Sequence, residues 1–297
     1  MNKYLIFRTD RIGDFLLTVI LIKSIKRNDP NSYIKVVASE KNFDYIKSFN
    51  IVDEVILFKK SIINRFKLIN LLKIDKYNAI IIHDSKKRSI FISFFLKANL
   101  KLLSNVNSNI SYFVDIKNIL KRLDFNFDPA DLNTLSNRKY NSLDILDNEY
   151  IHFHFDEKWI HKEYIQNYFN IEPTTNELIS FFNSIVNKAK KNLVVTTSLN
   201  STKILDEIFT SKFNPRIFFL KNLSFFEIEN IIDNCELLIS CHGAVSHVAA
   251  AKNMKQIDII EESKSKFYKK WTDHFRNYNY IYRKNFNELA KDILKLL

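Results

Sequence analysis

Residues 3–28 have the sequence KYLIFRTDRIGDFLLTVILIKSIKRN, which changes from one hydrophobic pattern to another. The first six residues form a short apolar run of the kind found in strands that are buried on both faces of a sheet. From Asp14 onward a longer amphipathic run is typical of a helix, which Asp29 and Pro30 end. A short loop with Gly13 joins the two segments. A strand that leads through a tight loop into a helix begins a βαβ unit, so this stretch predicts an α/β fold with a parallel sheet.

The same alternation continues along the chain and starts again after an irregular stretch. Residues 104–165 are less regular and contain clusters of turn-forming residues. We therefore expect two doubly wound, Rossmann-like domains that face a cleft, with ligands at the carboxyl ends of the strands. The amino-terminal domain would span residues 1–150 and the carboxy-terminal domain residues 151–297, with the last helix packing in its own domain or back on the first. Further strands are expected at residues 33–39, 54–58, 78–84, 192–197, 216–220, 236–240 and 256–260.

The charge of the chain limits the partners that it is expected to bind. The 297 residues carry a formal net charge of +12. The Lys and Arg residues are scattered, without the dense basic run and interleaved aromatics that are typical of nucleic-acid binding, so we expect no nucleic acid. A basic surface instead suits phosphorylated substrates or an anionic membrane.

The cysteines and the apolar runs favour a cytoplasmic protein. Cys235 and Cys241 are too few for a disulfide framework or a zinc quartet, which indicates a reducing compartment. Arg8 and Asp10 interrupt the first apolar run, so no signal peptide is expected. No apolar run approaches the ~18 residues needed to span a bilayer. We expect a cytoplasmic protein that at most rests peripherally on the inner face of the inner membrane.

Gly13 and Gly243 are the only glycines in a chain whose length would normally hold about twenty. Both stand between a strand and a helix. Glycine permits a positive φ and a close approach to the backbone, and the start of a helix attracts anions. The glycines therefore predict two ligand-binding helix starts, against the alternative of two ordinary tight turns. Asp14 is then a candidate general base kept ionised by the helix dipole, against the alternative of a plain first-turn acid.

Four segments, in order, resemble the recurrent blocks of the family 9 glycosyltransferases, the bacterial heptosyltransferase group. Residues 4–39 resemble its amino terminus: a strand, a basic loop, Gly-Asp and a long apolar helix. Residues 77–91 (YNAIIIHDSKKRSIF) resemble its next block, a strand followed by an Arg/Lys-Ser helix start. Residues 192–203 (NLVVTTSLNSTK) resemble a Thr-Thr segment followed by a Lys. Residues 224–260 resemble its nucleotide-binding motif.

The resemblance implies a GT-B fold and a glycosyltransferase. The reaction would be an inverting, metal-independent transfer from a nucleotide sugar, with ADP-heptose as the best match. The acceptor would be an anionic glycolipid or oligosaccharide of the bacterial surface, such as lipopolysaccharide core. No cofactor and no metal are expected. Transfer of another sugar, such as Kdo or a hexose for capsule or O-antigen, stays open, as does a protein that binds nucleotide without turnover.

The resemblance also implies roles for individual residues. Asp14 is implied as the catalytic base. The acceptor would be bound by Arg8, Arg11, Gly13, Asp84, Lys86, Lys87 and Arg88. The donor nucleotide and its diphosphate would be bound by Thr196, Thr197, Lys203, His242, Gly243, Ala244, Ser246 and His247.

Two departures from the family motif affect the second loop. Cys241 and His242 stand where the motif has an acid before the glycine. Three residues rather than two separate Gly243 from His247, so either Ser246 or His247 is expected to meet the phosphate.

Two other features of the second half are assigned to structure. Cys241 lacks a nearby base pattern, which disfavours a catalytic thiol. His152 and His154 alternate as they would on a strand, but no second pair of ligands accompanies them, so a structural role is favoured over a metal site.

Overall fold

In the first sheet, the first three strands of the chain lie side by side in sequence order. The next two strands are added on the other side of the first strand. In the computed structural model, which describes residues 1–107, 109–135, 150–198, 201–209 and 214–297, the five described strands have the order β3-β2-β1-β4-β5. All neighbours are parallel. The central strand is apolar from Tyr4 to Phe7 because helices cover both faces. The strands are β1 (Lys3–Arg8), β2 (Tyr33–Ala38), β3 (Glu54–Leu57), β4 (Lys76–Ile82) and β5 (Lys97–Leu103).

Helices connect these strands and form the core with them. The third and fourth helices pack on one face, where Leu68, Leu72 and Ile92 share a core with Leu5 and Phe7. Right-handed crossovers place the first two helices on the opposite face. The helices are α1 (Ile12–Asn28), α2 (Phe43–Lys47), α3 (Ile62–Leu72), α4 (Lys87–Phe94) and α5 (Tyr112–Arg122).

The second sheet repeats the same winding with one more strand. Its described strands have the order β11-β10-β9-β6-β7-β8, again all parallel. The strands are β6 (Tyr150–His154), β7 (Asn192–Thr196), β8 (Ile217–Leu220), β9 (Leu237–Cys241), β10 (Lys255–Ile260) and β11 (Tyr278–Tyr282). The helices are α6 (Thr175–Ala189), α7 (Lys203–Phe209), α8 (Phe225–Asn234), α9 (Ala244–Ala251), α10 (Ser265–Thr272) and α11 (Phe286–Leu296).

The chain divides into two compact units, each built on one sheet. The first holds Met1–Thr134 with Lys269–His274, and the second holds Leu135–Tyr268 with Phe275–Leu297. The division expected near residue 150 adjoins residues 136–149, which lie outside the described residues. The last helix packs in the second unit through Leu289 and Ile293. The segment that returns to the first unit is instead Lys269–His274, where the Trp271 ring packs on Tyr112 at 3.9 Å between centroids.

In each sheet one pair of neighbouring strands marks the reversal of strand order. These pairs are β1 with β4 and β6 with β9. Ligands of open α/β sheets bind outside the carboxyl ends of the strands at this reversal. The loops that matter are therefore residues 9–11 and 83–86 in the first unit, and residues 155–158 and 242–243 in the second. No helix among the described residues is long and apolar enough to cross a membrane.

Candidate functional site

A cavity of about 370 Å³ opens at the carboxyl edge of β1 in the first unit. Its wall is formed by the loop that joins β1 to α1, by the residues that follow β2 and β3, and by the start of α4. Cations outnumber carboxylates along its wall, which suits an anionic ligand. The lining residues are Thr9, Asp10, Arg11, Asp14, Ser39, Glu40, Lys41, Phe58, Lys60, Lys86 and Arg88.

Asp14 has the environment of a base. It lies in the first turn of α1, half-buried, and its carboxylate accepts a hydrogen bond of 2.9 Å from the backbone N–H of Arg11. Burial raises the pKa of Asp14 above its usual value, and this effect outweighs the lowering by the Arg8 guanidinium. The helix dipole was expected to keep the group ionised, but burial opposes it. A raised pKa improves a carboxylate as a proton acceptor near neutral pH.

Arg8 was expected to bind the acceptor, and the structure places its guanidinium against partners within the first unit. Its side chain is fully buried. The guanidinium donates to Thr18 Oγ1 at 2.6 Å, to His83 Nδ1 at 3.0 Å and to Asp10 Oδ2 at 3.1 Å. A buried cation needs such partners. The role of Arg8 is therefore to hold the carboxyl ends of β1 and β4 together.

Asp84 was also expected to contact the acceptor. Its carboxylate accepts hydrogen bonds from the loops around it. Asp84 Oδ2 accepts from Thr9 Oγ1 at 2.6 Å and from Ser89 Oγ at 2.8 Å, and Oδ1 accepts from the backbone N–H of Lys86 at 3.1 Å. The group is 9% exposed, so little of it is left for a ligand. In this structure it positions residues that line the cavity.

The remaining acceptor candidates divide according to exposure. Arg11, Lys86 and Arg88 line the cavity as expected. Lys86 pairs with Asp10, and Arg88 Nη2 donates to Thr9 Oγ1 at 2.8 Å. Lys87 is exposed and does not line the cavity. Gly13 is buried in the first turn of α1 without a positive φ, so its expected conformational freedom is not used.

Sequence reasoning did not single out Lys41 and Lys60, which also line this cavity. Both follow strands, β2 and β3, at the carboxyl edge of the sheet. That position was the available signal, because all strands of a parallel sheet end at the same edge.

In the second unit Gly243 joins β9 to α9, and a lysine lies against it. Gly243 has extended φ and ψ, so a positive φ does not explain the glycine. A Cβ at this position would lie 2.9 Å from Lys158 Nζ and 3.2 Å from Lys158 Cε. The close approach expected at this glycine therefore exists, and in this structure the approaching group is the amine of Lys158.

Lys158 follows β6 at the reversal of strand order and was missed by sequence reasoning. Its amine pairs with Asp156, and its stem is covered. Burial by itself lowers the pKa of Lys158, but the Asp156 carboxylate overcomes this and raises the pKa above its usual value. The carbonyl of Lys158 accepts a hydrogen bond from the Arg283 guanidinium, which holds the loop. The Lys158 ammonium, paired with Asp156, thus lies at the start of α9, where the helix dipole favours anions.

The side chains around Gly243 converge on one buried carboxylate, that of Asp258 in β10. Asp258 Oδ2 lies 2.6 Å from His242 Nδ1 and accepts from the Tyr278 hydroxyl at 3.1 Å. Asp258 Oδ1 accepts from Ser246 Oγ at 2.8 Å. Ser246 Oγ in turn accepts from the backbone N–H of Gly243 at 3.2 Å. The acid that the motif lacks in sequence is supplied in space by the neighbouring strand.

This network changes the roles expected for the loop residues. Ser246 is fully buried, and its hydroxyl donates to Asp258. His247 is only 6% exposed, with its ring 5.3 Å from that of Phe275 and 5.4 Å from that of His242. His242 is half-buried beside Asp258, and Ala244 is the first residue of α9. His242 and the backbone at Ala244 remain candidates for the diphosphate.

Thr196 and Thr197, which were expected at the diphosphate, are both buried. The Thr196 hydroxyl lies 2.7 Å from His152 Nε2 and 2.8 Å from His154 Nδ1, so it can donate to one ring and accept from the other. Burial lowers the pKa of His152 well below its usual value and that of His154 to about 3, so both rings are neutral. The structural role expected for this histidine pair is confirmed.

Lys203 begins α7 and is exposed. The strand before it, β7, lies two strands away from β9, which is about 10 Å across a sheet. Lys158 thus has the position by Gly243 that was expected of Lys203.

The structure also bears on two other kinds of chemistry, a catalytic thiol and a metal site. Burial raises the pKa of Cys241 to about 12, which leaves the thiol unreactive, as expected. Among the described residues no group of three or more His, Cys, Asp or Glu is arranged to hold a metal ion.

A second cavity, of about 450 Å³, includes Lys191, Lys255 and Arg276 but lies at the amino edge of the second sheet, where substrates of such sheets do not bind.

Comparisons with known proteins extend the resemblance that the motifs indicate. No family model matches the chain. Over 306 residues it is 22% identical to lipopolysaccharide heptosyltransferase 3 of Escherichia coli, across 88% of this chain and 84% of that protein.

Solved structures show the fold. Heptosyltransferase WaaC of Escherichia coli, solved with ADP, matches with a TM-score of 0.71 at 12% identity, over 99% of this chain and 100% of that one. A family 9 glycosyl transferase of Veillonella parvula gives 0.71 at 12% identity, over 99% and 91%. A UDP-GlcNAc 2-epimerase of Methanocaldococcus jannaschii gives 0.62 at 11% identity, over 100% and 92%, so the fold alone does not fix the reaction. The chain has the GT-B fold, and its resemblance to the heptosyltransferases of glycosyltransferase family 9 extends over most of its length.

Proposed function

We propose that this chain is a glycosyltransferase that moves a sugar, with heptose as the first candidate, from a nucleotide sugar to a bacterial surface glycolipid such as lipopolysaccharide core. The observation that carries the proposal is Asp14, a half-buried carboxylate of raised pKa in a cation-lined cavity at the strand-order reversal. The resemblance to a lipopolysaccharide heptosyltransferase supports the class of acceptor.

The proposed reaction is a single inverting displacement. Asp14 takes the proton of the acceptor hydroxyl while the hydroxyl oxygen attacks the anomeric carbon of the donor. The bond between that carbon and the diphosphate oxygen breaks, and the nucleoside diphosphate leaves from the opposite face. A single base suffices for this step.

The departing diphosphate gains negative charge, and the second unit has the groups to stabilise it. The Lys158 amine lies beside Gly243 at the start of α9, so a fixed cation and a helix start act on the same place. We therefore propose that no metal ion is needed for this role. Lys41, Lys60 and Arg88 give the cavity of the first unit the charge to hold an anionic acceptor.

The nucleotide and the sugar are the finer part of the proposal. ADP-heptose is favoured because the matched enzyme WaaC was solved with ADP. Kdo or a hexose for capsule or O-antigen is the alternative. Thermal-shift and turnover measurements with ADP-, GDP-, UDP- and CMP-sugars separate them. We also propose a cytoplasmic location, consistent with two free, buried cysteines.

Substitution of Asp14 tests the proposal. Asp14→Ala and Asp14→Asn are expected to lower the transfer rate by about 10²–10⁴-fold, the usual contribution of a general base, while donor affinity stays unchanged. In the wild type the rate is expected to fall as the pH drops through the raised pKa of Asp14, because the protonated carboxyl cannot accept a proton.

Glu40→Gln is the matched control, since Glu40 is an exposed carboxylate that lines the same cavity. It is expected to retain most activity. Transfer that survives in Asp14→Asn would remove Asp14 as the base. Nucleotide binding without turnover of any of the four sugar classes would favour the non-catalytic alternative.

A further inference from the structure

Helix α3 is apolar on both of its sides, although only one side packs on the sheet. Leu68, Ile69 and Leu72 face the core of the first unit. Ile63 and Phe66 lie away from that side of the helix, and they are 69% and 55% exposed, respectively. Large apolar side chains that are exposed on the outward side of a helix are typical of a surface that contacts a partner. An apolar partner on the outward side of α3 would therefore stabilise Ile63 and Phe66.

Helix α4, which packs beside α3 on the same face of the sheet, repeats this arrangement. Ile92 is buried in the core, whereas Phe91, Phe94 and Phe95 point outward. Phe94 is 73% exposed, and the rings of Phe91 and Phe95 pack edge to face at 5.1 Å. We call the outward side chains of α3 and α4, with the lysines that flank them, the α3–α4 face. Contiguous exposed apolar surface of this kind marks an interaction site.

The segment that contains the α3–α4 face is also the most basic part of the chain. Residues 59–103 contain eleven Lys and Arg and only two Asp, a formal +9 of the chain's +12. The exposed lysines flank both helices: Lys59, Lys60, Lys67, Lys73, Lys76 and Lys97. A second copy of this chain would bring the same positive charge against itself. The aliphatic Ile62 and Ile63 do not stack on nucleic-acid bases.

We propose that the α3–α4 face docks on an anionic bilayer. Ile63, Phe66 and Phe94 would enter the boundary between headgroups and acyl chains, while the lysines would contact anionic headgroups. Apolar burial together with a polybasic surface is the combination that holds peripheral proteins on membranes.

The position of this face relates it to the cavity of the first unit. Lys60 lines the cavity and lies two residues before Ile62, and Arg88 lines the cavity and lies three residues before Phe91. Docking would therefore hold the cavity close to the headgroups, where the sugar of a lipid-linked acceptor lies. This last step rests on the proposed function, whereas the docking itself does not.

Sedimentation with large unilamellar vesicles tests the docking. The wild type is expected to sediment with phosphatidylcholine vesicles that contain 30% phosphatidylglycerol and to stay in solution with phosphatidylcholine alone. Ile63→Ser/Phe66→Ser/Phe94→Ser is expected to lower the partition coefficient by about tenfold or more, because inserted apolar side chains are lost. Lys67→Gln/Lys73→Gln/Lys97→Gln is expected to remove most of the salt dependence of vesicle binding, because salt acts by screening the attraction between these lysines and the anionic headgroups. The screening length shortens from about 10 Å at 0.1 M salt to about 3 Å at 1 M.

Phe226→Ser/Lys264→Gln, an exposed pair in the second unit, is the matched control and should bind like the wild type. Circular dichroism checks the fold of each variant. Wild type that ignores anionic vesicles, or an apolar variant that still binds them, overturns the proposal. So does a wild-type dimer that the apolar variant converts to monomer without any vesicle binding. Asp14→Ala should keep wild-type vesicle binding, so a failure of the transferase proposal is read separately from a failure of docking.

Discussion

At the residue scale, the main correction concerns which lysine lies at the start of α9. Lys203 was favoured because it follows a Thr-Thr segment, but it is exposed two strands away. Lys158 lies against Gly243, although the surrounding sequence HFHFDEKWIH suggested only structure. A signal was present, since Asp156 and Lys158 directly follow an apolar strand. It could be used only after that strand was known to be the centre of the second sheet.

Lys158→Gln is expected to weaken binding of the nucleoside diphosphate by roughly 10–100-fold, which corresponds to the loss of one hydrogen bond to a charged group. Calorimetric titration with ADP, or with the nucleotide that the donor panel selects, measures this. Lys203→Gln is the control and should bind as the wild type does. Because Lys158→Gln leaves the Asp156 charge buried, Lys158→Gln/Asp156→Asn serves as a second variant. Weaker binding in Lys203→Gln alone would restore the sequence-based assignment.

At the element scale, strands and helices with clear periodicity were foreseen, and those with mixed composition were not. The apolar strands β1, β2, β4, β9 and β10 are confirmed. Four elements in or after the irregular middle, or just before it, were missed: β5, α5, β6 and α6. β5 is an exposed edge strand with lysines among its leucines, so it lacks the apolar run of a central strand. β6 is fully buried but carries two histidines, whose partner Thr196 is supplied by the neighbouring strand.

The loop before α9 depends on a strand that lies after it in the chain. Asp258→Asn removes the carboxylate that receives Ser246 and Tyr278 and contacts His242. We expect the free energy of unfolding to fall by about 1–3 kcal/mol, because buried donors lose their charged acceptor. Nucleotide affinity is expected to fall as well, since the loop loses its anchor. Urea denaturation and titration with ADP measure the two effects.

Asp233→Asn is the control for that change. Asp233 forms an exposed ion pair with Lys252, which is worth about 0–1 kcal/mol. A similar loss of stability in both variants would mean that the Asp258 network has no special role.

At the scale of the whole molecule, both units bury neutral histidines. Burial and the Arg8 charge lower the pKa of His83 well below its usual value, and burial does the same for His152 and His154. In the unfolded chain these groups titrate near pH 6.5. Below that pH the unfolded chain binds more protons than the folded chain, so acid favours unfolding.

We therefore expect the free energy of unfolding to decrease as the pH falls below about 6.5, by up to about 1.4 kcal/mol per pH unit for each histidine. Urea denaturation at pH 7.5 and pH 5.5 measures the difference. His83→Asn should reduce the slope, whatever its effect on stability at pH 7.5. His161→Asn, at an exposed position, should leave the slope unchanged. A stability that does not change between the two pH values would contradict the assignment of neutral buried rings.

The sequence by itself determined the α/β class, the order of most strands and helices, and the two strand-to-helix loops that carry Asp14 and Gly243. These features are local, because the periodicity of a segment and the start of a helix depend on residues that are neighbours in the sequence. The tertiary structure alone decided which polar groups are open to a ligand. It buried Arg8 and Thr196 against partners, and it brought Lys158 and Asp258 to Gly243. Exposure depends on strand order, and the residues that meet at a strand end come from distant parts of the chain.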